Sequence, residues 1–251
     1  MLALLVAACL PAKAQSRLDS AQYSLAMKFS GNRSTGIFSR NVFLASTEAH
    51  FQTQQWRLYN SLSYRYSNIN GLLFENNLYE LLTLIFYPNQ RKSWFPLAFY
   101  HYDNNLLFQV NSRHRGGVGL GSVVLRQDQV FLEAAVGIGY EATEYNGTVF
   151  INSELEEAIR ENGLAIFRLN LDLSFLEKRL VLHTTLLHMH SLKESQDYEL
   201  WVRPSLIYRI SSHISLSVNY DYRYERVHLE GLPPANDILL YGLNINLAHK
   251  P

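Results

Sequence analysis

Long runs of strict two-residue alternation constrain this chain more than any other feature. From 214 to 225, Ile214, Leu216, Val218, Tyr220, Tyr222 and Tyr224 alternate with Ser215, Ser217, Asn219, Asp221, Arg223 and Glu225. A strand sends successive side chains to opposite faces, so this run has one apolar face and one wholly polar face. Residues 56 to 67 set Trp56, Leu58, Leu62, Tyr64 and Tyr66 against Arg57, Tyr59, Ser61, Ser63, Arg65 and Ser67. The same pattern sets Tyr23, Leu25, Met27 and Phe29 against Ser24, Ala26, Lys28 and Ser30. It recurs with Ala165, Phe167, Leu169, Leu171 and Leu173 against Arg168, Asn170, Asp172 and Ser174. Strands of a soluble sandwich run about 5 to 6 residues, whereas a strand tilted across a bilayer needs about 9 to 11. These runs are of the longer kind.

The pattern predicts strands near 21–31, 37–51, 56–67, 75–87, 93–103, 112–126, 130–144, 163–175, 179–190, 198–210, 214–226 and 237–248. That makes an all-β, single closed antiparallel transmembrane barrel of about 12 strands, an even number as bacterial single-chain barrels have. Short links at Gln52–Gln55, Pro88–Lys92, Gln127–Gln129, Glu177–Lys178 and Ser211–His213 alternate with 67–75, 103–112, 145–162, 191–197 and 227–236. Most of the second set are longer, and the 32–36 loop joins them by count. A membrane barrel has short periplasmic turns and longer extracellular loops. The order therefore puts 145–162 outside the cell and Ser211–His213 in the periplasm. Within the longest loop, Ser153–Asn162 reads as a short acidic helix, capped by Ser153 with Glu156 completing a capping box. Residues 78 to 87 and 93 to 100 are apolar on both faces and contain Pro96, which points to a bulge or a protein contact.

Composition narrows the function classes. The 251 residues carry 22 basic and 22 acidic side chains, so no basic excess argues for nucleic acid. Aromatic content is 13%, with 16 Tyr and 13 Phe, side chains suited to a surface half in apolar medium and half in water. Residues 1–14 read as a signal peptide: an apolar run from Leu2 to Leu10 precedes Ala12-Lys13-Ala14, the form of a signal-peptidase site. Basic residues are missing before that run, which points to a start codon further upstream. Val6-Ala7-Ala8-Cys9 has the form of a lipoprotein box, with Cys9 then lipidated; the short apolar run before Cys9 and the well-placed cleavage site favour ordinary cleavage. The barrel domain is then 15–251 and has no cysteine. No later segment has the 18 or so consecutive apolar residues of a transmembrane helix.

Gly117, Gly119-Leu120-Gly121, Gly137-Ile138-Gly139-Tyr140 and Thr143-Glu144-Tyr145 resemble a family of bacterial outer-membrane proteins catalogued as domain of unknown function 481. The family includes salt-induced outer-membrane proteins. The likeness continues through Gly31-Asn32, Tyr222-Arg223-Tyr224, Pro233-Pro234 and Gly242-Leu243, most of the mature chain. It implies a barrel in the outer membrane and carries over no activity. Such barrels usually end on an aromatic residue read by the barrel assembly machinery; this chain ends Leu247-Ala248-His249-Lys250-Pro251.

No cofactor, metal or catalytic set emerges. His213 and Ser215 have the spacing of a base and nucleophile on one strand face, but their turn is predicted periplasmic and no carboxylate orients the histidine. His188 and His190, with His183 nearby, lack the further ligands of a metal site and read as a rim pair. Gly116–Gly121 lacks the Lys-Ser/Thr of a phosphate loop. If Gly117, Gly119, Gly121, Gly137 and Gly139 all point inward, the wall there is bare, which permits sharp coiling or leaves lumenal space.

The polar faces, taken as lumenal, carry Lys28, Arg57, Arg65, Arg113, Arg115, Arg168, Arg203, Arg209 and Arg223 against Glu133, Glu141, Asp172, Glu199, Asp221 and Glu225. Unpaired charge in a low-dielectric wall is costly, so a salt-bridged, side-chain-filled lumen leads over a slightly cationic pore. The expectation is a non-enzymatic outer-membrane barrel, structural or for small solutes, surrounded by outer-membrane lipid. A small channel preferring anionic solutes, an outer-leaflet lipid-modifying hydrolase and a soluble periplasmic barrel with an apolar ligand are the alternatives. Leu58, Leu62, Tyr220 and Tyr222 should face lipid, and Arg57, Arg65, Asp221 and Arg223 the lumen.

Overall fold

The structure is a computed structural model and describes residues 22–34, 39–87, 94–153 and 157–249. The signal segment, the Pro88–Lys92 link, Glu156 of the capping box and the last two residues lie outside the described residues. Twelve strands close into one antiparallel barrel: β1 (Gln22–Ser34), β2 (Arg40–Gln52), β3 (Trp56–Ile69), β4 (Leu72–Phe86), β5 (Trp94–Asn105), β6 (Val110–Arg126), β7 (Val130–Tyr145), β9 (Ile159–Phe175), β10 (Leu180–Ser191), β11 (Tyr198–Arg209), β12 (Ile214–Glu225) and β14 (Ala235–His249). Neighbours in sequence are neighbours in the wall, and β1 closes on β14 with Phe29 opposite Leu243. Two short strands, β8 (Phe150–Ile151) and β13 (His228–Leu229), pair with each other outside the wall. Each expected strand is present.

Alternation produces the two surfaces. Leu62, Tyr64, Tyr66, Val118, Leu120, Val136, Ile138, Leu216 and Tyr241 are exposed on the outer wall, while Glu75, Arg113, Thr143, Glu199 and Arg223 on the opposite parity are buried. A soluble barrel buries its apolar face; this one turns it outward.

Connections differ from expectation in ways the backbone explains. The 67–75 segment is no long loop: β3 and β4 zip up to a two-residue turn, Asn70-Gly71, both at positive φ (52° and 83°). Asn-Gly is the preferred pair for the type I′ hairpin turn, whose twist matches the flanking strands. The 103–112 segment likewise shrinks to residues 106–109. The 153–162 helix is replaced at its far end by strand, because Ile159–Asn162 begin β9 and pair with Glu141–Glu144 of β7. Ladder bonds to a long neighbour outweigh the weak helical preference of a four-residue stretch. Around Pro96 the wall runs without a bulge: the β4–β5 ladder ends at Ile85 opposite Leu97, and Pro96 pairs only with β6, opposite Leu120. Register shifts occur instead at Ser67/Asn68, Asp103/Asn105, Val110/Ser112 and Val123/Leu125.

One end of the barrel carries the connections at 146–158, 192–197 and 226–234 and is called the loop end below; the turns at 53–55, 127–129, 176–179 and 210–213 mark the turn end. At the loop end β8 and β13 fold over the opening. Phe150, Val227 and Leu229 pack there on Phe108, Val110 and Tyr145, making an apolar cap.

Candidate functional site: the filled lumen

Directly beneath the cap, five strands aim charge at one another. Arg113 of β6 makes a two-pronged contact with Glu225 of β12, at 2.9 and 3.2 Å, and also reaches Thr143 (3.2 Å) and the Tyr145 hydroxyl (3.1 Å). Two residues along, Arg115 pairs with both Glu141 of β7 and Glu199 of β11. Arg223 of β12 pairs with Asp103 of β5 at 3.1 Å, with Glu225 at 2.7 Å and with Glu199. Strand parity alone puts these groups inside, because each is an even number of residues from a buried neighbour. All are nearly sealed from solvent, Arg113 at 1% exposure. A pocket among them measures about 20 Å³, room for about one water.

Trp201 closes the lower side of this cluster. Its ring nitrogen donates to Glu199, and three guanidiniums lie over its indole: Arg203 at 4.2 Å, Arg223 at 4.7 Å and Arg115 at 5.9 Å from the centroid. Tyr79 and His101 flank it at 5.8 and 5.4 Å, and Leu164 and Met189 pack against it. Desolvated cation–π contacts of this kind add about 2 kcal/mol each, and the packing also fixes the arginine geometry. Alternation predicts polar lumenal faces; an apolar layer of Trp201, Leu164, Met189, Ile166 and Leu187 lies inside them. A lone tryptophan in phase with Glu199 and Arg203 was the available signal.

Below Trp201 the lumen grows wetter. Asp221 of β12 bridges Arg65 of β3 and Arg203 of β11, the latter at 3.0 Å. Toward the loop end, beside the Asn70-Gly71 turn, Arg65 and Arg40 also flank the sealed carboxylate of Glu75, at 3.7 and 3.6 Å. Lys28 pairs with Glu48, His183 with Asp172, and Arg168 donates to Asn170 at 3.3 Å, which in turn donates to Glu133 at 3.1 Å. Side-chain exposure here reaches 43% at His183 and 39% at Asp172. Arg57 donates to Gln52 and lies 5.5 Å from the Tyr87 ring, while Arg209 is exposed at the last position of β11.

Of the residues named from sequence, the structure brings Arg113, Arg115, Arg223, Glu141, Glu199 and Glu225 into one cluster and Arg65, Arg203 and Asp221 into a second. Lys28, Arg57, Arg168, Asp172 and Arg209 stay apart from both, toward the turn end. The count of nine cations against six carboxylates changes. It leaves out Arg40 and Arg160 on one side and Glu48, Glu75 and Asp103 on the other, and Glu194 and Asp197 fold in from the 192–197 loop onto Arg160. With Arg126 of β6 also on the inner face, opposite Phe131, the two signs come close to balance among the described residues, and the cationic excess shrinks.

The remaining candidates separate. His213 is exposed and contacts Ser212 at 2.8 Å, whereas Ser215 is buried and accepts from Asn244, so the two form no couple. His188 and His190 stack on the outer wall, 6.2 Å between rings, while His183 faces the lumen. No group of three or more metal-ligating side chains occurs among the described residues. Gly117, Gly119, Gly121, Gly137 and Gly139 do face inward. A methyl group on Gly119 would sit 2.6 Å from the Val136 carbonyl oxygen, and one on Gly121 2.2 Å from the Phe95 ring. The bare wall thus serves close coiling, and Phe95 fills the space it leaves.

Fold and site together define a closed twelve-stranded antiparallel barrel, apolar outside and filled by paired charge within. The chain belongs to the family described as protein of unknown function DUF481, whose model matches residues 27–243. No curated protein matches it. Similar solved structures are outer-membrane barrels. The KdgM porin aligns over 91% of this chain and 99% of its own at 9% identity and a TM-score of 0.41. The translocator domain of the autotransporter NalP from Neisseria meningitidis aligns over 93% of each chain at 10% and 0.44. A porin refined at 1.8 Å aligns over 90% and 100% at 7% and 0.40.

Proposed function

We propose that this protein is a non-enzymatic outer-membrane barrel, with the loop end outside the cell, whose lumen is closed by its own side chains, so that it acts as a structural or small-solute barrel and not as a free-diffusion pore. The observation that carries this is the sealed layer of Arg113, Arg115, Arg223, Asp103, Glu141, Glu199 and Glu225 between the apolar cap and Trp201. Ion pairs held in a low-dielectric bore leave neither free charge to draw ions nor width to pass them. Membrane placement rests on the outer wall. Trp56, Trp94, Phe175 and Tyr208 ring the turn end, and Tyr64, Tyr100, Tyr140 and Tyr220 the other. Eight residues separate Trp56 from Tyr64. At a rise of about 3.3 Å and a tilt of about 40° they lie about 20 Å apart along the axis, near the height of an apolar band.

The near balance of lumenal charge leaves an anion-preferring channel little excess to work with. Conductance in a planar bilayer tests the reading. The purified protein should show no steady open level at neutral pH and moderate salt. Sustained, anion-selective conductance would make the arginines the lining of a working pore and put channel function first.

A further inference from the structure

The two signs nearly balance only when the lumen is counted whole; counted by depth they separate. Below Trp201, Lys28, Arg57, Arg126, Arg168 and Arg209 rise from five strands spread around the wall. Cross-strand partners share a face. Lys28 lies opposite buried Asn244, Arg168 opposite buried Ala135 and Arg209 opposite buried Ser215, while Arg57 lies opposite Gln52 and Arg126 opposite Phe131. Among the described residues the inner face at this depth holds three carboxylates, each with a partner of its own: Glu48 pairs with Lys28, Asp172 with His183, and Glu133 accepts from Asn170. The arginines hold neutral groups instead. Arg57 donates to the Gln52 amide, Arg126 lies over Phe131, and Arg168 donates to the Asn170 amide oxygen. Among the described residues no carboxylate pairs with Arg57, Arg126, Arg168 or Arg209. The turns at this end add Asp128 and Glu177 against Lys178 and Arg179, which leaves the difference unchanged. Arg203, walled in on every side, is still 33% exposed, so water reaches it along the bore from the turn end. Above it, Trp201 and the sealed ion-pair layer close the passage.

We propose that the turn-end half of the lumen is a blind vestibule that binds a small organic anion carrying several carboxylate groups, which enters and leaves by the turn end alone. The proposal deepens the closed-barrel reading above and rests on it. Five cations against three engaged carboxylates leave a standing positive charge, and low-dielectric walls around a water-filled cup focus its field on the space between them. Each arginine fork can take a carboxylate by two parallel hydrogen bonds. Because the forks stand on different strands, a monovalent anion meets one of them at a time. A solute with two or three carboxylates meets several, and once the first contact holds it the others form at high effective concentration. The rest of the lining adds no charge: Thr185 donates to Asn170 at 3.0 Å and Ser205 to Asn219 at 2.6 Å. A vestibule closed at its inner end stores or presents such a solute and does not pass it.

The test titrates the full chain, folded in zwitterionic micelles at neutral pH and low salt, with citrate, inorganic phosphate and acetate by isothermal calorimetry. Citrate should bind with a Kd of about 1 mM or below, and about tenfold more tightly than acetate. Arg57→Ala with Arg126→Ala should weaken citrate about tenfold, and Arg57→Lys with Arg126→Lys about threefold, since lysine keeps the charge and loses the fork. Glu48→Gln should tighten citrate about threefold, because it removes a carboxylate and frees Lys28. Arg226→Ala, past β12 at the loop end, should match wild type. A heat-modifiable band on a gel reports folding, and Glu48→Gln carries the test if the double alanine variant does not fold. No citrate binding by wild type, or an affinity unmoved both in the folded double variant and in Glu48→Gln, overturns the proposal. So does inorganic phosphate or acetate bound as tightly as citrate, since the arginines would then act singly. Failure of the closed-barrel reading shows separately, as steady conductance in a planar bilayer, and overturns the blind vestibule even where citrate binds.

Discussion

The two halves of the lumen use the same residue types to opposite effect. Near the loop end, Arg113, Arg115 and Arg223 meet their carboxylates in a space closed by the Phe108–Leu229 cap above and Trp201 below. Near the turn end, the Lys28–Glu48 and His183–Asp172 pairs face water, with side-chain exposures between 23% and 43%. The difference lies in what surrounds the pairs. A dry pair is an all-or-nothing arrangement, because either partner alone is a buried charge, whereas a wet pair is screened and separable.

The largest expected effect comes from Arg113→Ala, which leaves Glu225 without its two-pronged partner in a sealed layer. A loss of about 3–5 kcal/mol is expected, read as a lower midpoint in urea unfolding from detergent or lipid. The matching change at the turn end, Lys28→Ala, should cost under about 1 kcal/mol. Equal losses at the two sites would erase the distinction between the halves. Conductance sharpens the same comparison: replacing Arg65 and Arg223 by Ala should open the bore and favour cations, since Asp221, Asp103 and Glu199 lose partners, whereas Arg57→Ala should leave the trace unchanged.

Wall geometry comes next. Gly119→Ala places a methyl group against the Val136 carbonyl, a backbone atom that cannot rotate away, and should cost about 1–3 kcal/mol. Gly71→Ala, at the hairpin tip and at positive φ but with open space around it, should cost about 1 kcal/mol through backbone strain alone. Thermal shifts of the two variants, measured side by side, check the order.

The smallest effect is a pH dependence at the loop end. Asp197, in the 192–197 connection, has its pKa raised to about 6; burial pushes it up, and the pull of Arg160 only partly offsets this. A carboxyl whose folded pKa lies above its unfolded value of 3.8 favours the folded state in its protonated form. That contribution is complete below pH 3.8 and is lost as the pH rises through about 6. Proteolysis of the 192–197 loop should therefore speed up between pH 4 and 6.5, and Asp197→Asn should flatten the profile. A wild-type profile already flat over that window would show Asp197 to be an ordinary surface carboxyl.

Strand number, strand phase and the inward aim of Arg57, Arg65, Asp221 and Arg223 were legible in the sequence because alternation is a local property: one residue's face sets the face of every second residue beyond it. The Asn70-Gly71 hairpin was equally local, and the pair that announces it stood in a segment read as a loop. What local patterning cannot carry is how far across a closed wall two inward side chains lie. Arg113 and Glu225 are 112 residues apart and Arg65 and Asp221 are 156 apart, and they meet only because the barrel closes. The same closure decides that Trp201 is a seal and not a lipid-facing ring, since a tryptophan on a polar face has no neighbours until the opposite wall arrives. Sequence sets which way each side chain points; ring closure sets what it meets there, and charge pairing depends on the second because Coulomb energy and desolvation are functions of distance and surroundings, not of order along the chain.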